Sequence, residues 1–389
     1  MGVPIRYNIR SLVQRKGTTI MTAIGIALTV AVLVISMSLM RGLRDTFAGS
    51  GNSLQGVVLR KGTDSELNSD LSPASLQELR SMRQVAWSGD GQSLVSPEIV
   101  TVMNLPSVDS PAGMNLTLRG LLPIGLEMRD VQIVAGAMFR SGQREVIVGQ
   151  GVSKRYPSAQ LGSTLKFGRG EWTVVGIFAA KEEMAAVASE IWGDLNQVRS
   201  DLDRQGNMSS ALIRAQSSAD LDTMVKLVED NRRVGAHIVK EREYYASMTS
   251  SGAPLEVLGI AIAMIMAIGS GFGAMNTMYA AVARRGREIG TLRSLGFSRA
   301  SILRSFIFES MMLSLLGGLV GCALALPVNN LTTGVGNFAT FSEVAFRFKV
   351  TWDVMAQGVL FAVVIGALGG FLPALAAARR DLITTLREG

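Results

Sequence analysis

The chain has 389 residues, of which 48% are hydrophobic and only 18% charged, and its mean hydropathy is +0.31. Charge this scarce excludes an ordinary soluble protein and favours a membrane protein with a soluble portion. The formal net charge is +7, but the arginines cluster beside apolar segments, so we expect no nucleic-acid partner. The single cysteine, Cys322, excludes an intrachain disulfide. With His237 as the only histidine, we expect no metal site.

The first segment, residues 1–16, has an amphipathic pattern. Ile5, Ile9 and Leu12 fall on one helical face, while Arg6 and Arg10 lie elsewhere. The pattern predicts a cytoplasmic interfacial helix along the inner leaflet. A frayed start to the following span is the alternative.

Four apolar segments are long enough to cross a bilayer, which needs about 20 residues for a hydrocarbon core of roughly 30 Å. The predicted transmembrane helices cover residues 17–40, 255–283, 305–328 and 354–378. The first is longer than the apolar region of a signal peptide and ends without an A-x-A cleavage site, so we interpret it as an uncleaved anchor.

Basic residues flank these spans unevenly. They dominate before the first span, between the second and third (284–304), and in the tail (379–389), so all three segments are predicted to be cytoplasmic. The loop at 329–353 has balanced charge and is predicted to lie outside the cytoplasm. Residues 41–254 then form one large extracytoplasmic domain, between helices 1 and 2. The fold class is therefore a membrane protein with four transmembrane α-helices and an α+β extracytoplasmic domain.

Short β-branched runs within this domain predict strands at 56–60, 99–103, 116–119, 145–149, 171–178, 211–214 and 237–240. Helices are predicted after Ser72-Pro73, with Ser72 as N-cap, and over 219–228. Residues 121–205 are a candidate inserted subdomain. We interpret Trp172 and Trp192 as core residues and His237 as structural, since no nucleophile motif accompanies it.

The segment between spans two and three reads ARRGREIGTLRSLGFSRASI. Ile289, Leu292 and Leu295 form a short apolar stripe, and Gly296 and Ser298 are a predicted C-cap and N-cap. These signals indicate a short cytoplasmic helix with basic residues around it. By periodicity alone, its basic residues could serve only to orient the spans in the membrane.

This segment resembles the ATPase-docking loop of MacB/FtsX-type permeases, also called type VII ABC transporters. The matching residues are Arg287, Glu288, Ile289, Gly290, Leu292, Arg293, Leu295 and Gly296. The layout also resembles that family: one span, a large domain of the MacB-like periplasmic core type, three more spans and a short tail. The resemblance covers nearly the whole chain.

The resemblance implies that the loop transmits ATP-driven motion from a separate ABC ATPase to the exported domain. Glu288 and Arg293 would make polar contacts with that ATPase, and Ile289, Leu292 and Leu295 would enter its groove. No G-x-x-x-x-G-K-[ST] sequence occurs, so ATP and Mg²⁺ are expected on the partner ATPase and no cofactor on this chain. We accordingly expect the chain not to be an enzyme.

Small residues four apart recur in three predicted spans. The pairs are Gly269 and Gly273, Gly317 and Gly321, and Gly366 and Gly370. This spacing lets helices approach closely in lipid, so we predict helix packing, within one chain or across a dimer. Residues 269–274 superficially suit a dinucleotide-binding motif, but they lie inside a span rather than after a strand.

The family resemblance implies a bacterial inner-membrane permease that works with a second permease copy or a paralogue. Export of peptide, drug or lipid-type substrates, with a periplasmic adaptor and an outer-membrane channel, is the preferred function. The alternatives are lipoprotein release, FtsX-like regulation of a cell-wall hydrolase, and a non-transporting membrane scaffold or sensor.

Overall fold

The computed structural model describes residues 16–48, 50–108, 110–129, 131–180, 182–204, 206–231, 233–249, 253–329, 331–336 and 342–379. The chain divides into two compact units. A membrane unit comprises residues 1–41, 254–331 and 347–389, and an exported unit comprises 42–253 and 332–346. The predicted interfacial helix before Lys16 and the tail after Arg379 lie outside the described residues.

The helices are α1 (Lys16–Ala48), α2 (Pro73–Arg80), α3 (Pro123–Arg129), α4 (Gln150–Arg155), α5 (Leu195–Asp201), α6 (Ser218–Asp230), α7 (Glu241–Met248), α8 (Ala253–Arg284), α9 (Gly286–Ser294), α10 (Arg299–Ala325) and α11 (Trp352–Arg379). The strands are β1 (Gln55–Arg60), β2 (Val95–Leu105), β3 (Met114–Leu121), β4 (Gln132–Gly136), β5 (Glu145–Gly149), β6 (Thr164–Phe167), β7 (Gly170–Ala179), β8 (Glu190–Asp194), β9 (Ser210–Arg214), β10 (Ala236–Lys240), β11 (Thr332–Gly336) and β12 (Glu343–Arg347). Short 3₁₀ segments cover Pro157–Ala159, Glu182–Ser189 and Leu326–Val328.

Four helices of the described chain, α1, α8, α10 and α11, are long and apolar enough to cross a membrane. Their positions follow the four apolar segments, which confirms the predicted fold class. Backbone amides have no water to bond in the hydrocarbon core, so continuous helices are the stable solution for these segments.

The exported unit is built on one mixed sheet with the strand order β10-β1-β9-β2-β3-β8-β5-β7-β4, and β6 pairs with β7. All seven strands predicted from the sequence are present; β2 and β3 are longer than predicted, with 11 and 8 residues, and the others extend by at most two residues. The helix predictions are also confirmed: Ser72 caps α2 by accepting a hydrogen bond from the Ser75 amide, and α6 contains residues 219–228.

The stretch 121–205 continues this sheet through strands β4 to β8. Its core residues Val146, Val174 and Ile191 belong to the same apolar cluster as Val58 and Ile213. This stretch is therefore not set apart by a hydrophobic core of its own. The side chains of Trp172 and Trp192 are fully buried, which confirms their core role.

The predicted extracytoplasmic loop at 329–353 is divided between the two units. Residues 332–346 belong to the exported unit and include β11 and all but the last residue of its partner strand β12. Residues on either side belong to the membrane unit. Glycines at 334 and 336 favour a loop in sequence, but pairing with β12 places them in a strand.

Candidate coupling segment and its supports

The segment between the second and third spans forms one short helix, α9, between α8 and α10. Gly296 follows α9 with φ +93°, a left-handed conformation that favours glycine at a helix end. Ser298 caps α10, where its hydroxyl accepts a hydrogen bond from the Ser301 amide. The predicted N-cap is confirmed, whereas Gly296 lies one residue after the C-cap Leu295; these two ends separate α9 from the longer helix α10.

One face of α9 packs on the membrane unit itself. Ile289 is 3% exposed and lies in an apolar cluster with Val282, Ile302 and Phe306 from α8 and α10. Gly290 beside it is buried as well. Burying an isoleucine side chain contributes about 2 kcal/mol, so this face anchors α9 to the spans.

Two arginines reinforce this attachment. Arg285, just before α9, forms a buried ion pair with Glu309 of α10, with 2.9 Å between Nη1 and the carboxylate oxygen. Arg293 donates a hydrogen bond to the carbonyl of Ala378 near the end of α11, at 3.2 Å. A displacement of α9 would therefore pull on both α10 and α11.

The opposite face of α9 is open to a partner. Arg287, Glu288 and Leu295 are exposed, Leu295 to 71%. Gly296 is exposed too. Leu292 and Arg293 are half-buried at the border between the two faces.

Ile289, Leu292 and Leu295 thus do not share one environment. Leu295 is six residues after Ile289, and at 3.6 residues per turn the two side chains lie about 120° apart around the helix axis. Ile289 is buried in its own unit, whereas Leu295 is exposed, and the expected contact of Ile289 with an ATPase groove stays a prediction. An apolar period alone does not identify which partner a helix face contacts.

The three glycine pairs differ in what surrounds them. A Cβ atom at Gly321 would lie 2.6 Å from the Ala27 carbonyl oxygen of α1, and Gly317 meets α1 in the same way. Gly366 and Gly370 of α11 contact Ser314 and Ser310 of α10 just as closely. These four glycines permit close helix approach within the chain.

Gly269 and Gly273 of α8 are different, because a Cβ atom added at either position would meet no atom within 4 Å in the described part of the chain. Only 11% of the α8 span is buried, against 44% for α1 and 39% each for α10 and α11. Packing within the described part of the chain thus does not use this pair.

The exported unit contains a buried cluster of charged side chains that sequence patterns did not reveal. Arg119 of β3 forms hydrogen-bonded ion pairs with Glu66, Glu98 and Glu190 at 2.5 to 2.8 Å. Glu190 also accepts a hydrogen bond from the Trp192 indole at 2.7 Å. The sequence signal that could have revealed the cluster is Arg119 inside the mostly apolar strand segment LTLRGL. A charge in such a strand is rarely buried without partners.

The protonation of this cluster follows from its surroundings. Burial by itself would raise the pKa of Glu66, but the Arg119 charge and hydrogen bonds from Arg119 and Ser210 lower that pKa to about 2. Burial would likewise lower the pKa of Arg119, but the charges of Glu190, Glu66 and Glu98 raise it well above its usual value. Both side chains are charged at neutral pH.

A second buried arginine links the cluster to α7, the helix that precedes the second span. Arg129 donates a 2.7 Å hydrogen bond to Glu98, and Glu241 at the start of α7 lies 3.9 Å away. Burial raises the pKa of Glu241, against the opposing effect of the Arg129 charge. The Glu241 carboxylate also accepts a hydrogen bond from the Asn52 amide at 2.8 Å, so the cluster fixes the base of this helix.

Comparison with known proteins gives two family matches along the chain. The MacB-like periplasmic core domain matches residues 19–231, and the FtsX-like permease C-terminal domain matches residues 260–382. The first match includes most of α1 and the strands β1 to β9, and the second includes most of α8 together with α9, α10 and α11.

The chain is 26% identical to the uncharacterized ABC transporter permease YknZ of Bacillus subtilis (strain 168), across 98% of both chains. It is 21% identical to the macrolide export ATP-binding/permease protein MacB of Neisseria gonorrhoeae, across 98% of this chain but 60% of that protein. Among solved structures, the periplasmic region of MacB from Actinobacillus actinomycetemcomitans aligns with 51% of this chain and 94% of that chain, at 11% identity and a TM-score of 0.37.

The two domain matches, the four apolar helices and the near full-length similarity to a permease agree. The chain belongs to the family of ABC transporter permeases that combine a MacB-like periplasmic core domain with an FtsX-like permease domain.

Proposed function

We propose that this permease transmits ATP-driven motion from a separate cytoplasmic ABC ATPase to its exported domain, and that this motion drives export of peptide, drug or lipid-type substrates. The observation that carries the proposal is the two-sided character of α9. One face is anchored by Ile289 and the Arg285–Glu309 pair, and the other presents Arg287, Glu288 and Leu295. Because α9 is attached to the spans by one face, a force that a partner applies to its exposed face is transmitted to the spans.

The partner ATPase would bind ATP and Mg²⁺, and this chain would hold neither. For α9 to meet that ATPase, both chain termini must lie in the cytoplasm, which the basic flanks of the spans favour. The membrane would be the bacterial inner membrane. A periplasmic adaptor and an outer-membrane channel would complete an export path, in keeping with the macrolide export role for which the MacB relative is named.

The first prediction concerns the free face of α9. The double variant Glu288→Lys, Leu295→Asp should lower the amount of copurified ABC ATPase about tenfold or more, since each 1.4 kcal/mol of lost contact is a factor of ten. It should leave the fold intact, because both side chains are exposed and the 3.5 Å ion pair of Glu288 with Arg285 lies at the surface on its Glu288 side, where such pairs contribute little. The measurement is affinity purification from membranes in mild detergent, followed by an ATPase assay.

The control for this experiment is Leu227→Asp, which makes the leucine-to-aspartate change of the double variant at an exposed leucine of α6 in the exported domain. It should leave ATPase recovery unchanged. If the wild-type chain brings down no ABC ATPase, the transport proposal is wrong, and a membrane scaffold or sensor becomes the better interpretation. Recovery by the α9 variant at the wild-type level would remove α9 from the proposal.

A second permease copy would be the partner of the open α8 face. Asn276 lies on this face, one turn from Gly273, and its side chain is exposed. A side-chain amide that faces lipid without a hydrogen-bond partner is unfavourable. Because the asparagine amide both donates and accepts hydrogen bonds, Asn276 can pair with Asn276 of a second copy across a two-fold axis. Gly269 and Gly273 would let the two helices approach closely.

We therefore expect Gly273→Cys, in a Cys322→Ala background, to form an intermolecular disulfide in oxidised membranes. Leu368→Cys is the matched control, because Leu368 also lies within an apolar span and is 69% exposed on α11. Gel migration without reductant reads out the crosslink. Equal crosslinking at both positions would indicate random collision and contradict the interface, whereas a disulfide to a different chain would identify a paralogue.

A further inference from the structure

The segment of residues 342–346, here called the clasp, lies between the third and fourth spans yet is buried in the exported unit. Ser342, Glu343, Val344 and Phe346 are all buried. The Ala345 amide donates a hydrogen bond to the Ser189 hydroxyl at 2.9 Å. A connecting loop with no role in the domain would lie in solvent, because buried loops carry polar backbone groups that need partners.

A buried ion pair holds the clasp. Glu343, whose side chain is 1% exposed, contacts the Arg155 guanidinium at the end of α4, with 2.5 Å between Oε1 and Nη2. The neighbouring Tyr156 hydroxyl donates a hydrogen bond to the other carboxylate oxygen. Separation of these groups would leave the Glu343 carboxylate buried without its counter-ion, so the clasp opens as a unit or stays closed.

The clasp is joined by the chain to α10 on one side and α11 on the other. These are the helices to which α9 is fixed, through Arg285–Glu309 and Arg293. One buried ion pair, Arg285–Glu309, therefore involves the first half of α10, and a second, Arg155–Glu343, involves the segment that follows α10. The chain thus connects α9 to the exported domain in two directions, forward through α10 and the clasp and back through α8 and α7.

We propose that the clasp is a second mechanical connection to the exported domain, through which movement of α10 and α11 reaches α4 by way of the Glu343–Arg155 pair. This inference rests on the proposed function, because it assigns a route for the same ATP-driven motion. The chain also joins the spans to the exported domain at α1 and at α7–α8. The clasp adds a further point at which movement of the spans is transmitted to the domain.

The test uses the full chain with its ATPase in lipid nanodiscs. Hydrogen exchange of peptides covering α4 and the clasp is compared with and without a non-hydrolysable ATP analogue. In Arg155→Met, Glu343 keeps its hydrogen bond from Tyr156 but loses its counter-ion, and exchange of the clasp should rise on the order of 100-fold without nucleotide. The nucleotide-dependent change at α4 should be lost, while ATPase recovery and basal ATP hydrolysis stay at wild-type levels.

The double variant Arg155→Met, Glu343→Leu replaces the pair with apolar side chains of similar size and should restore both clasp protection and the nucleotide response, because packing without a lone charge can replace a buried pair. A nucleotide response at α4 that is the same in wild type and Arg155→Met would overturn the clasp proposal and leave the transport proposal standing. Absence of any nucleotide response in the wild-type exported domain would overturn the transport proposal, and the clasp role with it.

Discussion

Replacement of Arg119 by methionine is expected to unfold the exported domain or bring it to the edge of unfolding. The guanidinium contacts three buried carboxylates, so its removal leaves Glu66 and Glu190 without their main partner and Glu98 with Arg129 alone. Breaking one buried pair typically costs about 3–5 kcal/mol, and a whole domain is stable by only about 5–15 kcal/mol. Methionine has similar length, so a cavity is not the cause.

Limited trypsin digestion of the full chain in detergent, followed over a temperature series, measures this effect. The exported domain of Arg119→Met should be cleaved at temperatures where the wild-type domain resists. Arg169→Met is the matched control, since Arg169 and its partner Asp203 are both exposed, and surface ion pairs contribute little. If Arg119→Met and Arg169→Met are equally resistant, the cluster does not stabilise the domain as its geometry indicates.

The fold was predictable where one physical signal dominates. The length of the uncharged segments identifies the four spans, because the bilayer core has a fixed thickness. Gly296 and Ser298 mark the ends of α9 and α10, because helix ends require particular backbone angles and side-chain acceptors. Strands such as β5, with its run EVIVG, follow from β-branched residues between turns.

Features that depend on distant contacts were not predictable. Strand β8 packs in the middle of the sheet, but its sequence EIWGD has no clear alternation, since burial on both faces removes the pattern. The clasp reads as a loop because Glu343 looks solvent-exposed until Arg155, far away in the chain, supplies its partner. Ile289 belongs to a stripe whose partner the sequence does not specify.

The glycine pairs show the same limit and lead to the second prediction with a large effect. Gly321→Leu should disrupt the packing of α1 against α10, because its Cβ atom would lie 2.6 Å from the Ala27 carbonyl oxygen and 2.8 Å from the Val30 Cβ atom. Backbone and a β-branched side chain cannot move away easily, so the cost should be at or above about 3 kcal/mol, the upper end of overpacking. The measurement is thermal unfolding of the purified chain in detergent.

Gly269→Leu is the control, with the same spacing motif and the same added side chain but open space around the Cβ position. Its unfolding temperature should match that of the wild type. If the open α8 face pairs with a second copy, Gly269→Leu should nevertheless weaken the dimer in chemical crosslinking, whereas Gly321→Leu should lower stability first. Equal destabilisation by both substitutions would mean that α8 packs within the chain through Gly269, contrary to the arrangement seen here, and the α8 dimer face would lose its support.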